Sequence, residues 1–202
     1  LAVGGWNDAY TNAVPRLVAS VQSPVKGIIG PWAHKYPHFA VPEPRIGFLQ
    51  EALRWWDQWL KGIDTGVTRD PAHRTYIMDV GRPGASVAHI PGRWVSDNVW
   101  PADKHEIQRL HLNADGLSQT KGRAGKRLVS SPQHTGADSG EYCIIWLGPE
   151  FPGDQRRDDS GSLTFDTAPL TQDMDLVGGA VLHIKVSSDK PVAVAAVRLN
   201  AV

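Results

Sequence analysis

Two short apolar runs near the start of the chain constrain the fold more than any other feature. Residues 1–3 and 25–29 form these runs, and the turns that follow them read GGWNDAY and GPWAH. Runs of this length ending in Gly-rich or Pro-containing turns are typical of buried strands in a parallel sheet. The first turn carries Asp8 and the second carries His34. We therefore expect both side chains at the carboxyl ends of neighbouring strands, where open α/β sheets bind ligands.

The spacing of these two residues is consistent with that arrangement. Asp8 and His34 are 34 − 8 = 26 positions apart, which leaves room for the crossover helix that parallel strands need. Residues 11–21 are a plausible helix, with Pro15 near the first turn, where proline is tolerated. A carboxylate beside an imidazole is the acid and base half of a nucleophilic triad. The simpler alternatives are that Asp8 caps the next helix and that His34 is an ordinary loop histidine.

The two turns, followed by a Trp-rich helix that ends Leu60-Lys61-Gly62, resemble the C-terminal part of the α/β-hydrolase domain in the CocE/NonD hydrolases. That family includes cocaine esterase, glutaryl-cephalosporin acylase and α-amino-acid ester hydrolases, and it is related to X-Pro dipeptidyl-peptidase. The resemblance implies that Asp8 and His34 are the triad acid and base. It also implies hydrolysis of a small-molecule ester or amide by acyl transfer to water, with no cofactor.

The nucleophile is absent from the sequence. α/β-Hydrolases carry the triad serine on a G-x-S-x-G elbow upstream of the acid and the base. The nearest internal match is GASVA at 84–88, which lacks the final glycine and follows His34, and we interpret it as a loop. We expect the serine on the missing N-terminal part of the same hydrolase. The chain alone is therefore predicted not to turn over an activated ester.

Several aromatic residues and a second histidine surround the proposed pair. Trp6, Trp32 and Tyr36 are candidates for the substrate pocket, and a packing role is equally open for the two tryptophans. His38 follows His34 by four positions, which suggests a metal-dependent hydrolase as an alternative. The proline between them prevents the helix that would align the two rings, and zinc usually has three or four protein ligands. We therefore expect no metal site and interpret His38 as a hydrogen-bonded loop residue.

The most regular periodicity predicts an amphipathic helix over residues 46–60, with Gly62 as its C-terminal stop. Its apolar positions form two adjacent stripes. A band this wide predicts burial against a sheet and against a second domain. The stripes consist of Ile46, Leu49, Leu53, Trp56 and Leu60, and of Phe48, Ala52, Trp55 and Trp59.

After this helix the pattern changes. Residues 65–74 are polar, contain Gly and Pro, and are interpreted as a linker. From residue 75 onward, short apolar segments separated by Gly, Pro, Asp or Asn indicate an all-β sandwich, and the resemblance implies a jelly roll. These segments are 75–80, 92–95, 107–112, 127–129, 141–147, 163–165, 180–187 and 192–199.

The predicted fold class is thus α/β plus all-β. Residues 1–64 form the C-terminal part of an α/β-hydrolase sheet with helices, and residues 75–202 form a jelly-roll β-sandwich whose last strand is plausibly truncated. The alternative to a hydrolase is a non-catalytic binding module, in which the sandwich recognises a carbohydrate or a protein partner.

Composition excludes several other classes. Lys+Arg and Asp+Glu both number 21, so the formal net charge is zero and nothing indicates binding to nucleic acid or to an anionic membrane. No apolar run approaches the roughly 18 residues of a membrane span. Cys143 is the single cysteine, which excludes an internal disulfide, and we interpret it as a small buried hydrophobe. The compartment stays open, with the cytoplasm slightly favoured.

Overall fold

A computed structural model describes residues 1–123, 125–145 and 149–201. It contains one four-stranded sheet, a separate two-stranded hairpin and three helices among these residues. The elements in chain order are β1 Ala2–Gly5, α1 Ala13–Ser20, β2 Gly27–Gly30, α2 Phe48–Lys61, a 3-10 turn Val67–Arg69, β3 His73–Met78, β4 Gly92–Asp97, β5 His111–Asn113, β6 Gly116–Ser118 and α3 Arg156–Ser160.

The main sheet has the strand order β1-β2-β3-β4. β1, β2 and β3 run parallel, and β4 pairs antiparallel with β3 at the edge. All four residues of β2 are buried, because the strand is flanked on both sides and covered on its faces. Gly5 pairs with Gly30 at the ends of β1 and β2, so the turns that follow these strands leave the sheet at the same edge.

The crossover between β1 and β2 is the predicted helix. α1 buries Val14 and Val18 against the two strands. Gly4 and Gly27 allow this close approach, since a Cβ atom on either one would lie under 3.0 Å from a valine methyl of α1. The N-cap of α1 is Asn12, so Asp8 is not the capping residue.

The second predicted helix is also present, but its burial differs from the prediction. No residue of α2 is buried, and its first apolar stripe faces solvent, with Leu49, Leu53, Trp56 and Leu60 exposed. The helix is instead held by ion pairs from its polar side. Glu51 accepts two hydrogen bonds from the Arg74 guanidinium of β3, at 3.0 and 2.9 Å. The expected burial of the wide apolar band is found only in part, since Phe48, Ala52 and Trp55 of the second stripe are half-buried.

The sheet continues across the segment that we interpreted as a linker. β3 begins at His73 and pairs with β2, so residues 65–74 do not coincide with a break in the sheet. The segments 75–80 and 92–95, predicted as sandwich strands, thus lie in β3 and β4 beside the first two strands. Burial explains the difference, because Thr75, Tyr76 and Ile77 are buried consecutively, as in a central strand covered on both faces.

Few of the remaining sandwich strands form. The segment 107–112 contributes only the start of β5, which pairs with β6 in the hairpin. No strand is present at 127–129, 163–165, 180–187 or 192–199, all within the described residues. The last two residues of the predicted strand 141–147 lie outside the described residues, and so does Val202. The jelly roll stays a prediction. Across the described residues, none of the helices has the length and apolar character needed to cross a membrane.

Candidate functional site

The turns after β1 and β2 are tied together by backbone and side-chain hydrogen bonds. The Trp6 amide donates to the Gly30 carbonyl at 2.8 Å, and the Asn7 amide donates to the Trp32 carbonyl at 3.1 Å. The Asn7 side-chain amide also donates to the Pro31 carbonyl, at 2.7 Å. These bonds prolong the strand pairing beyond the sheet, so the residues that follow them are brought side by side.

Asp8 and His34 meet at this edge. Oδ2 of Asp8 lies 2.9 Å from Nδ1 of His34, within hydrogen-bond distance. The other carboxylate oxygen, Oδ1, accepts the backbone N–H of Tyr10 at 2.9 Å. The Asp8 side chain is only 14% exposed, whereas that of His34 is 46% exposed. A carboxylate fixed at both oxygens thus orients a solvent-accessible imidazole whose Nε2 is not engaged by the acid.

The three aromatic pocket candidates have different environments. Trp32 is buried in a core cluster with Ile28 and Ala40, and its indole N–H donates to the Pro44 carbonyl at 2.8 Å. Trp6 is half-buried, and its indole N–H donates to the Tyr76 carbonyl at 2.8 Å. The placement of both tryptophans favours packing.

Tyr36 is the candidate that reaches solvent. Its side chain is 63% exposed, and its ring stacks on Phe48 with centroids 6.0 Å apart. Tyr10, which the sequence analysis did not single out, lies beside the pair, with its ring centroid 5.8 Å from that of His34. Of the two exposed tyrosines, Tyr10 is thus in ring contact with the imidazole of the pair, and Tyr36 is in ring contact with Phe48.

His38 is not brought to the pair as a metal ligand. Its ring stacks on Phe48 at 5.9 Å and packs edge-on against Phe39 at 4.7 Å. Nδ1 of His38 is buried and has no hydrogen-bond partner among the residues that the structure describes. The predicted hydrogen bond is thus not found at that atom, because aromatic stacking holds the ring. The segment 84–88 is an irregular loop between β3 and β4, as the sequence indicates.

Cys143 also lies near the pair, and the sequence analysis did not identify it as a site residue. One ligand atom each from Asp8, His34 and Cys143 can be chosen so that all three lie within 4.8 Å of one another. The backbone explains the proximity, because the His34 amide donates to the Ile144 carbonyl at 3.0 Å. Cys143 is half-buried, so it is not the fully buried hydrophobe that we expected. No local signal links it to a histidine 143 − 34 = 109 positions earlier.

Comparison with known proteins gives a family for most of the chain. Residues 65–202 match the family model of the X-Pro dipeptidyl-peptidase C-terminal non-catalytic domain. The chain belongs to this family. Asp8 and His34 lie outside the matched range, in the segment that precedes the non-catalytic domain. β3 and β4 lie inside it, so the match includes two strands of the main sheet.

Curated relatives extend the similarity into the segment before residue 65. Two proteins, one of Mycobacterium bovis and one of Mycobacterium tuberculosis, are each 26% identical over 198 residues and cover 91% of this chain. Each carries the printed name "Putative serine esterase". The chain spans 30% of the length of each relative. Together with the family match, they confirm the resemblance to the CocE/NonD hydrolases.

Proposed function

We propose that residues 1–64 supply the acid and base of a Ser-Asp-His triad that hydrolyses an ester or amide. The observation that carries the proposal is the 2.9 Å contact between Asp8 Oδ2 and His34 Nδ1 at the ends of adjacent parallel strands. Chain order supports it, since the acid precedes the base, as in α/β-hydrolases. The serine-esterase names of the relatives support acyl chemistry.

The two side chains have distinct roles in this mechanism. Asp8 accepts a hydrogen bond from Nδ1–H of His34, which selects the tautomer whose Nε2 is a base and stabilises the imidazolium. Nε2 then takes the proton of the attacking hydroxyl and returns it to the leaving group as the tetrahedral intermediate collapses. In the second half-reaction, Nε2 activates the water that hydrolyses the acyl-enzyme.

The nucleophile and the oxyanion donors belong, in this proposal, to a further segment of a longer polypeptide. The serine would approach the exposed side of His34, and the backbone amide after it would donate to the oxyanion. Residues beyond the main sheet would form the non-catalytic jelly roll of the predicted architecture. The non-catalytic domain would begin at about residue 65, where the family match begins, and its first two strands, β3 and β4, would extend the main sheet.

The test uses a longer polypeptide that joins the serine-bearing segment to residues 1–202. Asp8→Asn preserves the shape of the side chain but favours the wrong tautomer of His34, and His34→Ala removes the base. Each change should lower kcat/KM for a nitrophenyl ester by about 10⁴-fold. Circular dichroism should show that both variants keep the wild-type fold.

Asp64→Asn is the matched control for Asp8→Asn. Asp64 pairs with Arg69 on the surface, and both side chains are about two-thirds exposed, at 66% and 69%. This variant should retain wild-type turnover. If Asp8→Asn or His34→Ala instead kept turnover within a few-fold of wild type, these residues would have no role in the chemistry.

A further inference from the structure

We propose that Asp8, His34 and Cys143 form a zinc-binding site on the same side chains as the acid–base pair. Their oxygen, nitrogen and sulfur ligand atoms all lie within 4.8 Å of one another. Carboxylate oxygen, imidazole nitrogen and thiolate sulfur are the three ligand types that zinc takes from proteins. The site would hold one ion with three protein ligands and a water molecule at the fourth position.

The separations are close to those of a tetrahedral site. Zinc bonds of about 2.0–2.1 Å to nitrogen and oxygen and about 2.3 Å to sulfur require ligand atoms about 3.3–3.6 Å apart. Asp8 Oδ2 and His34 Nδ1 lie 2.9 Å apart, so these atoms need to separate by only about 0.4 Å. The Cys143 sulfur lies no more than 4.8 Å from one Asp8 oxygen and one His34 nitrogen, so it needs to approach them by at most about 1.5 Å. Small side-chain rotations can provide both movements.

The backbone positions of the three ligands are set by contacts outside the site. Asp8 is fixed by the Tyr10 amide, which donates to Oδ1 at 2.9 Å. The position of Cys143 is set by its neighbour Ile144, whose carbonyl accepts the His34 amide and whose side chain is buried against Ala33. Because the packing of Ile144 does not depend on a metal, the thiol stays near the imidazole in the metal-free protein.

Charge and access favour zinc over the hard divalent cations. The Asp8 carboxylate and a Cys143 thiolate would together neutralise the ion, and their mixed oxygen and sulfur donors match zinc better than Mg²⁺ or Ca²⁺. His34 is exposed and Cys143 is half-buried, which leaves a route from solvent.

Zinc and the proton relay would compete for the same atoms. A bound ion would occupy the Asp8 carboxylate and an imidazole nitrogen of His34, so the pair could not hold and transfer a proton. Zinc would therefore inhibit the hydrolysis reversibly. This consequence rests on the proposed function, whereas the metal site itself does not.

The experiment measures metal binding to the 202-residue chain and does not depend on catalysis. Metal-free protein is titrated with Zn²⁺ by calorimetry and with Co²⁺ by absorption spectroscopy. We expect one equivalent to bind, with a thiolate-to-cobalt charge-transfer band. Loss of a residue that hydrogen-bonds to a metal ligand lowers metal affinity by about 10–100-fold. Cys143→Ser removes a ligand itself, so it should lower zinc affinity by more than about 100-fold. His34→Ala should have a comparable effect.

A variant elsewhere in the chain and a measurement on the wild type complete the test. His183 is exposed and lies outside the group of three, so His183→Ala should bind zinc as tightly as wild type. On the wild type, Zn²⁺ but not Mg²⁺ should slow the alkylation of Cys143 by iodoacetamide. Equal zinc affinity in wild type and Cys143→Ser, or alkylation that zinc does not slow, would overturn the site.

The two proposals fail separately. If Cys143→Ser abolished zinc binding while His34→Ala left ester turnover intact in the longer polypeptide, the zinc site would stand and the triad would not. If His34→Ala abolished turnover and the chain bound no zinc, the reverse would hold.

Discussion

The central strand β2 and the apolar segment at 180–199 contain similar residues in very different surroundings. Ile29 in β2 is 0% exposed, whereas Ile184 is 47% exposed and belongs to no strand. β2 has a hydrogen-bonded strand on each side, while no strand is present at 180–199 in the described structure. An apolar segment therefore favours burial, but it is buried only where a neighbouring element covers it.

The same contrast applies to the candidate site. Asp8 and His34 follow two strands that are paired along their whole length, so the register of the sheet sets their distance. Cys143 lies on an irregular segment and reaches the pair through one backbone hydrogen bond and the buried side chain of Ile144. The acid–base pair thus depends on the sheet, whereas the thiol depends on a loop contact.

The largest expected difference in stability is between substitution of a glycine in the sheet and substitution of a glycine in the C-terminal segment. A Cβ atom on Gly5 would overlap the backbone carbonyl of Trp32, whereas one on Gly179 would meet nothing within 4 Å. Gly5→Ala should lower the free energy of unfolding by at least about 3 kcal/mol, and Gly179→Ala should change it by less than about 0.5 kcal/mol. Urea denaturation measures both. A small effect of Gly5→Ala would mean that the two turns are not held in register.

The next effect compares the two isoleucines. Ile29→Ala leaves a cavity in the fully buried strand and should cost about 2–5 kcal/mol in unfolding free energy. Ile184→Ala removes a half-exposed side chain and should cost less than about 1 kcal/mol. Chemical denaturation of the two variants under the same conditions gives the comparison. Equal costs would show that 180–199 has a buried partner in solution, which would weaken the contrast between the regions.

The third effect is a pH dependence of the unfolding free energy that arises from a histidine in the sheet. His73 in β3 is 0% exposed, with its Nδ1 2.7 Å from the Thr75 hydroxyl and its ring stacked on Trp100. Burial lowers the pKa of His73 to about 4, helped by the nearby His105 and opposed by Asp97. The unfolded state has the ordinary pKa of 6.5 and so binds the proton more tightly.

The sign of this effect follows from the lowered pKa. The stabilising contribution of neutral His73 is fully present above pH 6.5 and is lost as the pH falls toward about 4. Its size is about 3 kcal/mol. His73→Gln should remove this part of the pH dependence of unfolding, and His183→Gln, at an exposed position, should retain it. If both variants kept the wild-type pH profile, the imidazole of His73 would not be held neutral by the fold.

The parts of the structure that the sequence predicted well are local. The apolar runs give β1 and β2, the crossover between them gives α1, and the periodicity gives α2, with each helix correct to within a few residues at each end. The placement of Asp8 and His34 followed from one rule, that parallel strands end at a common edge. Each of these inferences uses residues that are near one another in the chain or joined by a single crossover.

The inferences that differed from the structure concern contacts between distant residues. The apolar stripes of α2 predicted which side chains prefer burial, but not that Glu51 on its polar side would bind Arg74 on β3. The sequence placed β3 in a separate sandwich, whereas it pairs in parallel with β2. Cys143 lies near His34 through a contact between segments more than 100 positions apart.

Sequence alone therefore determined two strand ends, the residue types that they carry and the order acid before base. The tertiary structure decided the 2.9 Å separation of that pair, the thiol beside it and the ion pair that joins α2 to β3. The physical reason is that strand and helix preferences arise from each residue and its near neighbours. Distances between side chains arise from packing, which sums weak interactions over the whole fold.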